Sequence, residues 1–298
     1  MKLSILIPTY DYVCYTLVHD LHTQCEAMGD FGGYEIIVME DGGKDQVKAI
    51  ANHKINDLPH CRYIRKKENV GRAYNINNLT KESIGEWCLI IDCDAKITTP
   101  LFINNYLLSI KQQNADVIVG GLINPTSLPS PDVTLRYYYE KKAEPYRTTE
   151  YCNAHPYNRF STFNVLIKRT VLVETPFHPT FTKYGFEDTF MGVELGEKKA
   201  KVVYINNPLM HMGFDSNDVF LKKTETSLAM LSSAGEMLLP YTRIGQVINK
   251  CEKWHITNVI NIFFKITKPL LRKNLLGNSP NMNIFAFYKL GYYIGIAK

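Results

Sequence analysis

The chain has 298 residues, of which 45% are hydrophobic and 12% aromatic, and its net charge is +5. This composition suits one large α/β core, or a core with an appendage, and excludes a disordered chain. Nucleic-acid binding is not expected, because the basic residues are not interleaved along an element that reads a groove.

The positive charge is concentrated at the end of the chain. Residues 250–298 contain eight Lys or Arg and one acid, Glu252, so this segment carries +7 and residues 1–249 carry −2. The apolar run before Pro8 is too short for a secretory signal, and no stretch has the apolar length of a transmembrane helix. The seven cysteines form no C-x-x-C pair, which favours reduced thiols. We therefore expect a cytoplasmic protein.

Strands and helices alternate through the first 123 residues. The predicted strands are 3–8, 34–39, 61–65, 86–91 and 116–123, and the predicted helices are 12–28, 44–53, 71–84 and 100–113. This alternation implies right-handed crossovers and a mostly parallel sheet, in which ligands bind beyond the carboxyl ends of the strands. Thr9, Asp41 and Asp92 lie at three of these ends. We therefore expect three loops to meet at one crevice.

Residues 124–160 differ from what precedes them, because they hold five prolines and many tyrosines, with three in a row from Tyr137. The segment is too long for an ordinary connection, which predicts a lid or a binding loop. The elements predicted after it are a strand at 162–168, a helix that begins near Glu187, and a strand at 201–205, with His211 shortly beyond.

Two aspartates separated by one residue follow the apolar strand that ends at Ile91. This strand must end at the surface, because burying an unpaired carboxylate is costly. Asp92 and Asp94 repel each other unless a cation lies beside them. Divalent cations with oxygen ligands, and the diphosphates that they carry, supply such a cation. The alternative is a solvated turn.

Two further loops carry groups suited to a nucleotide. Asp41 precedes two glycines that allow backbone to approach a flat ligand, and its carboxylate can accept the imide N–H of uracil. Arg72 follows Asn69 and Gly71 at the start of a predicted helix, where phosphate is favoured. The alternatives are an ordinary Asp-Gly turn and a solvated surface arginine.

Five motifs together resemble those of one enzyme family. They are S-I-L-I-P-T-Y at 4–10, E-I-I-V-M-E-D-G at 35–42, E-N-V-G-R-A-Y-N at 68–75, I-I-D-C-D at 90–94 and Y-G-F-E-D-T-F-M-G-V-E-L at 184–195. In this order they resemble a family 2 glycosyltransferase of the GT-A fold, of the bacterial surface-polysaccharide type. The resemblance implies a mostly parallel, Rossmann-like α/β sheet flanked by helices. The implied division is a catalytic domain at 1–215, with a nucleotide-binding half at 1–123 and an acceptor-side half at 124–215, and a helical C-terminal region at 216–298.

The resemblance also implies a donor site with a metal ion. In it, Asp92 contacts the ribose, while Asp94 and His211 bind the Mn²⁺ or Mg²⁺ that bridges the diphosphate and assists its departure. Imidazole suits Mn²⁺ better than Mg²⁺, and a lone histidine is also a common structural residue. The residues assigned to the donor nucleotide are Pro8, Thr9, Tyr10, Asp41, Asn69, Arg72 and Asp92.

The catalytic base implied by the resemblance is Asp188. A sugar hydroxyl is a poor nucleophile until a positioned carboxylate takes its proton, and the neighbouring Glu187 would orient donor or acceptor hydroxyls. A single displacement with this base inverts the anomeric centre. The alternative is an acidic pair favoured by the helix macrodipole, which would also keep the base ionised.

Some positions depart from the family pattern. Asp11 stands where Asn is common and Gly43 where Ser is common, which leaves the preferred nucleotide base open. The Gln/Arg-x-x-Arg-Trp motif of processive members is absent after Asp188, so we expect one sugar to be added per binding event.

We therefore predict an inverting, metal-dependent glycosyltransferase that moves a sugar from a UDP-linked donor to a glycan or glycolipid in polysaccharide biosynthesis. A sugar-1-phosphate nucleotidyltransferase would carry a Gly-rich loop with an arginine where this chain has Pro8–Asp11. A non-catalytic nucleotide-sugar or glycan-binding protein would bind UDP without turnover.

The basic tail allows two interpretations. Apolar residues recur at helical spacing from Ile256 to Leu271, with basic residues such as Lys265 between them. Such a helix either lies on the inner face of the cell membrane, near a lipid-linked acceptor, or packs on the catalytic domain with a basic outer face.

Overall fold

A computed structural model describes residues 2–29 and 31–297, which form two compact units. The first unit consists of Met1–Ile123, Tyr146–Thr182 and Met191–Gly213. The second unit consists of Asn124–Pro145, Lys183–Phe190 and Phe214–Lys298.

The strands of the first unit are short and mostly buried. They are β1 (Leu3–Thr9), β2 (Tyr34–Glu40), β3 (Cys61–Arg65), β4 (Trp87–Ile91), β5 (Ala95–Lys96), β6 (Val117–Val119), β7 (Leu122–Ile123), β8 (Asn164–Lys168), β9 (Val202–Tyr204) and β10 (Leu209–His211). Seven of them form one sheet in the order β3-β2-β1-β4-β8-β6-β9. Only β8 runs antiparallel to its neighbours in this sheet, so the expected mostly parallel arrangement is confirmed.

Helices flank this sheet, and three of them bury several apolar side chains at helical spacing. Those that lie in the first unit are α1 (Tyr15–Ala27), α2 (Gln46–His53), α3 (Arg72–Glu82), α4 (Phe102–Gln112), α6 (Thr149–Ala154) and α7 (Arg169–Glu174). In α1, Leu17, Leu21 and Cys25 recur on the face that joins the core of the first unit. Before α2, Asp45 accepts hydrogen bonds from the N–H groups of two following residues, which caps that helix.

A second sheet of three strands has the order β5-β10-β7. Strand β10 pairs antiparallel with β5, and His211 lies opposite Ala95 in this pairing. Because β5 directly follows Asp94, the small sheet carries His211 to the loop of the two aspartates.

The single strand predicted at 116–123 is wrong, because β6 and β7 belong to different sheets. Gly121 adopts a φ of +88°, a left-handed conformation that ends β6 and redirects the chain. A Cβ at Gly120 would lie 2.4 Å from the Oη atom of Tyr106, so this corner also requires a residue without a side chain.

The long loop expected at 124–160 is also wrong, because it contains α5 (Thr134–Ala143) and α6. All five prolines of the segment lie outside these two helices. Proline removes a backbone donor and disfavours a helix interior, so these residues limit the helices rather than prevent them.

The second unit is helical. Besides α5 it contains α9 (Asn217–Ala234), α10 (Arg243–Lys253), α11 (Thr257–Leu275) and α12 (Met282–Ile296), and α8 (Glu187–Glu197) begins in it. Its core is formed by Leu135, Phe220, Leu221, Phe264, Leu275, Phe285 and Tyr288. The expected helical C-terminal region is therefore confirmed. Within the described residues, no helix combines the length and the apolar character needed to cross a membrane.

Candidate active site

The ends of β1 and β2 are joined through Asp41. Its backbone N–H donates to the carbonyl of Thr9 at 2.9 Å, and its side chain is buried. The two carboxylate oxygens accept hydrogen bonds from the N–H groups of Val70 and Gly71 at 2.9 and 2.8 Å. Each carboxylate oxygen can accept a second bond, so Asp41 fixes this loop while keeping capacity for a further donor.

The turn after β1 presents Tyr10 and depends on two acidic side chains. Tyr10 is about half exposed, whereas Asp11 has a φ of +48° and donates its N–H to Oε1 of Glu40 at 2.9 Å. Burial raises the pKa of the Glu40 carboxyl, and the hydrogen bond from the Asp11 backbone offsets only part of this rise. A Cβ at Gly43 would lie 2.1 Å from Oε1 of Glu40, which accounts for glycine at this position.

Arg72 lies at the start of α3 and pairs with Asp92. Its Nε and Nη2 atoms donate to Oδ1 of Asp92 at 3.1 and 2.5 Å, and Nη2 also donates to Oγ1 of Thr162 at 3.0 Å. Arg72 is therefore held in the first unit by two partners and is not a solvated surface arginine. In the preceding turn, Oδ1 of Asn69 accepts from the N–H of Gly71 at 3.2 Å.

Asp94 and His211 form the pair best suited to a metal ion. Oδ2 of Asp94 lies 3.3 Å from Nε2 of His211, whose side chain is almost fully buried. Two neighbouring ligands at about 2.1 Å from an octahedral ion lie about 3.0 Å apart, so this pair fits two adjacent coordination positions. A Cβ at Gly213 would lie 1.8 Å from the same Oδ2, and thus glycine makes the space that this carboxylate occupies.

The negative charge of Asp94 contributes to the raised pKa values of two neighbouring side chains. Burial, and next Asp94, raises the pKa of the Tyr12 hydroxyl and holds the pKa of the Cys93 thiol well above its usual value. Among residues 2–29 and 31–297, no three His, Cys, Asp or Glu side chains cluster as a metal site. Divalent ions such as Mg²⁺ are often held by one or two carboxylates, with waters and substrate phosphates as the other ligands.

A buried polar network fixes the chain that leads to His211. Tyr106 donates to Oδ1 of Asn164 at 2.7 Å, and Nδ2 of Asn164 donates to the carbonyls of Gly121 and Asn207 at 3.0 and 2.9 Å. These contacts position β10, which begins two residues after Asn207. The one sign of this network in the sequence is the asparagine at the head of the apolar run N-V-L-I at 164–167, a signal from which no such network was predicted.

Glu187 and Asp188 lie in the second unit, in the first turn of α8. The preceding Gly185 and Phe186 have φ values of +121° and +67°, and a Cβ at Gly185 would lie 2.2 Å from Oγ of Ser227. The N–H of Gly185 donates to Oε2 of Glu187 at 2.8 Å. This tight turn sets Asp188 in the first turn of a helix, a position that the macrodipole makes favourable for acidic residues.

Beneath this turn lies a buried ion pair that sequence reasoning did not find. Nη2 of Arg136 lies 2.8 Å from Oε1 of Glu140 within α5, and the same guanidinium hydrogen-bonds to Tyr184. Lys223 lies 5.8 Å from the centre of the Tyr184 ring and pairs with Asp215. Tyr184 is thereby anchored just before the turn that leads to Asp188.

A family model described as Glycosyl transferase family 2 matches residues 4–172. The chain belongs to glycosyltransferase family 2. A sequence search of curated proteins found no match.

Several solved structures resemble this family 2 glycosyltransferase. Mannosyltransferase PcManGT from Pyrobaculum calidifontis, in complex with GDP-Man and Mn²⁺, has a TM-score of 0.53 and 12% identity over 78% of this chain and 63% of its own. S. aureus TarS 1-349, in complex with UDP-GlcNAc, has a TM-score of 0.53 and 17% identity over 100% of this chain and 90% of its own. Glucosyl-3-phosphoglycerate synthase from Mycobacterium tuberculosis, with Mn²⁺, UDP and glucosyl-3-phosphoglycerate, has a TM-score of 0.50 and 15% identity over 78% of this chain and 80% of its own. At these identities the likeness shows the fold, which is the expected GT-A fold.

In this family 2 glycosyltransferase the predicted residues fall into two groups. The first unit holds Pro8, Thr9, Tyr10, Asp41, Asn69, Arg72, Asp92, Asp94 and His211, and the second unit holds Glu187 and Asp188. Within the first unit, hydrogen bonds and ion pairs join Arg72 to Asp92 and Asp94 to His211. The loop of Asn69 is tied to Asp41.

Proposed function

We propose that this chain is an inverting, metal-dependent glycosyltransferase that transfers a sugar from a nucleotide-sugar to a hydroxyl of a glycan or glycolipid. The observation that carries the proposal is the 3.3 Å contact between Asp94 and His211, next to the Arg72–Asp92 pair at the carboxyl end of β4. Family membership supports the reaction class, and ligand binding at the carboxyl ends of parallel strands supports a diphosphate at this edge of the sheet.

The proposed donor is UDP-linked. TarS and the synthase were crystallised with UDP-GlcNAc and with UDP, which supports uridine, whereas GDP-Man in the mannosyltransferase keeps guanosine as the alternative. In this proposal the backbone of Pro8, Thr9 and Tyr10 supports the base and Asp41 accepts its imide N–H. Asp92 takes the ribose, and Asn69 and Arg72 lie toward the phosphates.

The proposed cofactor is Mn²⁺ or Mg²⁺, and Asp94 and His211 would hold it. The bound ion supplies positive charge opposite the diphosphate that departs. The space left by Gly213 keeps the carboxylate of Asp94 beside the imidazole of His211. Arg72, which is charged at any working pH, neutralises Asp92 and so lowers the repulsion between the two aspartates.

Asp188 acts as the general base in this proposal. Its carboxylate takes the proton of the acceptor hydroxyl while the oxygen attacks the anomeric carbon, and the nucleotide leaves from the opposite face, which inverts that carbon. Glu187 orients hydroxyl groups beside it, and the hydrogen bond from Gly185 holds Glu187 in place.

The biological setting is proposed from the resemblance. We place the enzyme in the cytoplasm, in a bacterial surface-polysaccharide pathway, with a catalytic domain at 1–215 and a helical region at 216–298. The acceptor is a glycan or a lipid-linked glycan at the inner face of the cell membrane.

The test combines donor screening with one matched pair of variants. UDP-, GDP- and CMP-sugars are compared by metal-dependent thermal stabilisation, and transfer is then measured with the best donor. Asp188→Asn should lower transfer by about 10²–10⁴-fold while nucleotide binding persists, because only the base is lost. The control is Asp218→Asn, the same substitution in the first turn of α9, which should retain transfer.

Unchanged turnover in Asp188→Asn would overturn the assignment of the base. The alternative is a non-catalytic nucleotide-sugar or glycan-binding protein. It would be supported if a nucleotide-sugar stabilised the chain but was neither transferred to any acceptor nor hydrolysed.

A further inference from the structure

Helix α11 has apolar side chains on two opposite faces. One face packs into the core of the second unit through Phe264 and Leu275. The other carries Val259, Ile262, Phe263, Ile266 and Leu270, which are between 55% and 72% exposed. At 100° per residue these five side chains fall within an arc of about 100°. We call them the outer face of α11.

A helix that only covers a core needs one apolar stripe. In the second stripe the ring of Phe263 lies 5.7 Å from that of Phe287, yet all five side chains are more than half exposed, so covering the core does not account for them. Contiguous apolar patches on a protein surface mark sites of interaction with a protein or a membrane.

The charge around the outer face indicates an anionic partner. Residues 253–298 contain seven Lys or Arg and no Asp or Glu. Lys253, Lys265 and Lys273 are exposed, with Lys265 beside the outer face and Lys273 continuing it. Two other cations of the segment make internal contacts, since Arg272 pairs with Glu225 and Lys289 lies over the Phe285 ring.

Trp254 adds a second sign of a lipid surface. It lies between α10 and α11 and is 69% exposed. Tryptophan is favoured at the boundary between water and hydrocarbon, because its ring is apolar and its N–H is polar.

We propose that the outer face of α11, with Trp254 and the three lysines, docks this chain on an anionic lipid bilayer. The apolar side chains enter the boundary between headgroups and acyl chains, and the lysines meet anionic headgroups. The helix lies in the plane of the surface, in keeping with the lack of a membrane-crossing helix among the described residues. This deepens the proposed function, because it adds a surface on which a lipid-linked acceptor is delivered.

A second copy of the chain fits this surface less well. A symmetric contact would bring Lys253, Lys265 and Lys273 of both copies onto one interface, and like charges across an interface are unfavourable. An anionic bilayer satisfies both the apolar arc and the lysines.

The experiment is co-sedimentation of the full chain with vesicles of phosphatidylcholine, with and without phosphatidylglycerol. The chain should bind only the anionic vesicles, and added salt should weaken binding. Ile262→Ser/Ile266→Ser should weaken binding at least about tenfold, because two exposed isoleucines no longer enter the bilayer. Lys265→Gln/Lys273→Gln should weaken it about thirtyfold at low salt, since each lysine contributes about fivefold.

The matched control is Val47→Ser/Ile50→Ser, which removes two equally exposed apolar side chains from α2 and should bind like the wild type. All variants should keep their melting temperature and their stabilisation by nucleotide, so a failure of the proposed donor site is seen separately. Equal vesicle binding by the Ile262/Ile266 double variant and the wild type overturns the proposal. So does a wild-type dimer that ignores vesicles and dissociates in that double variant, which would assign the outer face to a contact between copies.

Discussion

Substitution of Gly213 by alanine tests the proposed metal site without replacing either proposed ligand. The backbone of Gly213 lies outside the left-handed region, so alanine meets no conformational strain there. Its Cβ, however, would lie 1.8 Å from Oδ2 of Asp94, 2.7 Å from Cγ and 3.0 Å from Cβ. Real Cβ contacts stay above 3.0 Å, so residue 213 and the carboxylate must separate by at least about 1.2 Å.

This displacement is large compared with the tolerance of a metal site, where ligand distances hold to within about 0.2 Å. Perturbing the support of a metal ligand typically costs about 10–100-fold in metal affinity. We therefore expect the half-saturating Mn²⁺ concentration of Gly213→Ala to rise by about 10–100-fold, with transfer largely restored at high Mn²⁺.

The assay measures initial rates against Mn²⁺ concentration and, separately, Mn²⁺ binding by electron paramagnetic resonance in the presence of UDP. Gly295→Ala on α12 is the control, because its Cβ would meet only Oδ1 of Asn261 at 3.6 Å, an ordinary contact. An unchanged Mn²⁺ dependence in Gly213→Ala would refute the assignment of Asp94 and His211 to the metal.

Three further predictions concern stability. Asn164→Ala should lower the free energy of unfolding by about 2–3 kcal/mol in urea titrations, because the Tyr106 hydroxyl and two buried carbonyls lose a partner; a loss below 1 kcal/mol would contradict this. Arg136→Ala should cost about 3–5 kcal/mol, since it leaves Glu140 buried and uncompensated, whereas Arg136→Met/Glu140→Leu should recover most of the loss. No recovery in that double variant would show that the Tyr184 contact matters more than the pair. Burial raises the pKa of Glu40, so wild-type stability should fall as the pH rises from about 4.3 through the folded pKa, and Glu40→Gln should remove this fall. Melting temperatures across that range measure the effect, and parallel curves for the two proteins would refute it.

The positions of the site residues followed from the sequence to the extent that they lie at strand ends. The expected strands put Thr9, Asp41 and Asp92 at the carboxyl ends of β1, β2 and β4, where the structure has them. Apolar runs of five to seven residues carry this information, because a buried strand must exclude polar groups along its whole length.

The partners of these residues did not follow from the sequence. Periodicity does not reveal that Arg72 pairs with Asp92, twenty positions later, or that Asp41 holds the backbone of Gly71. Such contacts depend on how loops fold back over the sheet, and only the assembled structure brings their atoms within hydrogen-bonding distance.

The errors in secondary structure have local causes. The run from Val117 to Ile123 is apolar on both sides of two glycines, so its pattern is that of one strand, although Gly121 turns the chain into a second sheet. In 124–160, proline content suggested a loop, but the prolines mark helix boundaries. The spacing of these prolines leaves room for both helices.

Because β8 runs antiparallel to β6, the segment at 121–163 that connects them has its two ends close together. Strand β6 ends, and β8 begins, at the same edge, and the N–H of Gly120 donates to the carbonyl of Asn164 at 3.1 Å. The segment at 121–163 therefore leaves the sheet and returns to it at neighbouring points. Doubling the length of such an excursion costs only about 0.6 kcal/mol of closure entropy. The segment at 121–163 can therefore change in length at little cost to the sheet to which both of its ends are joined.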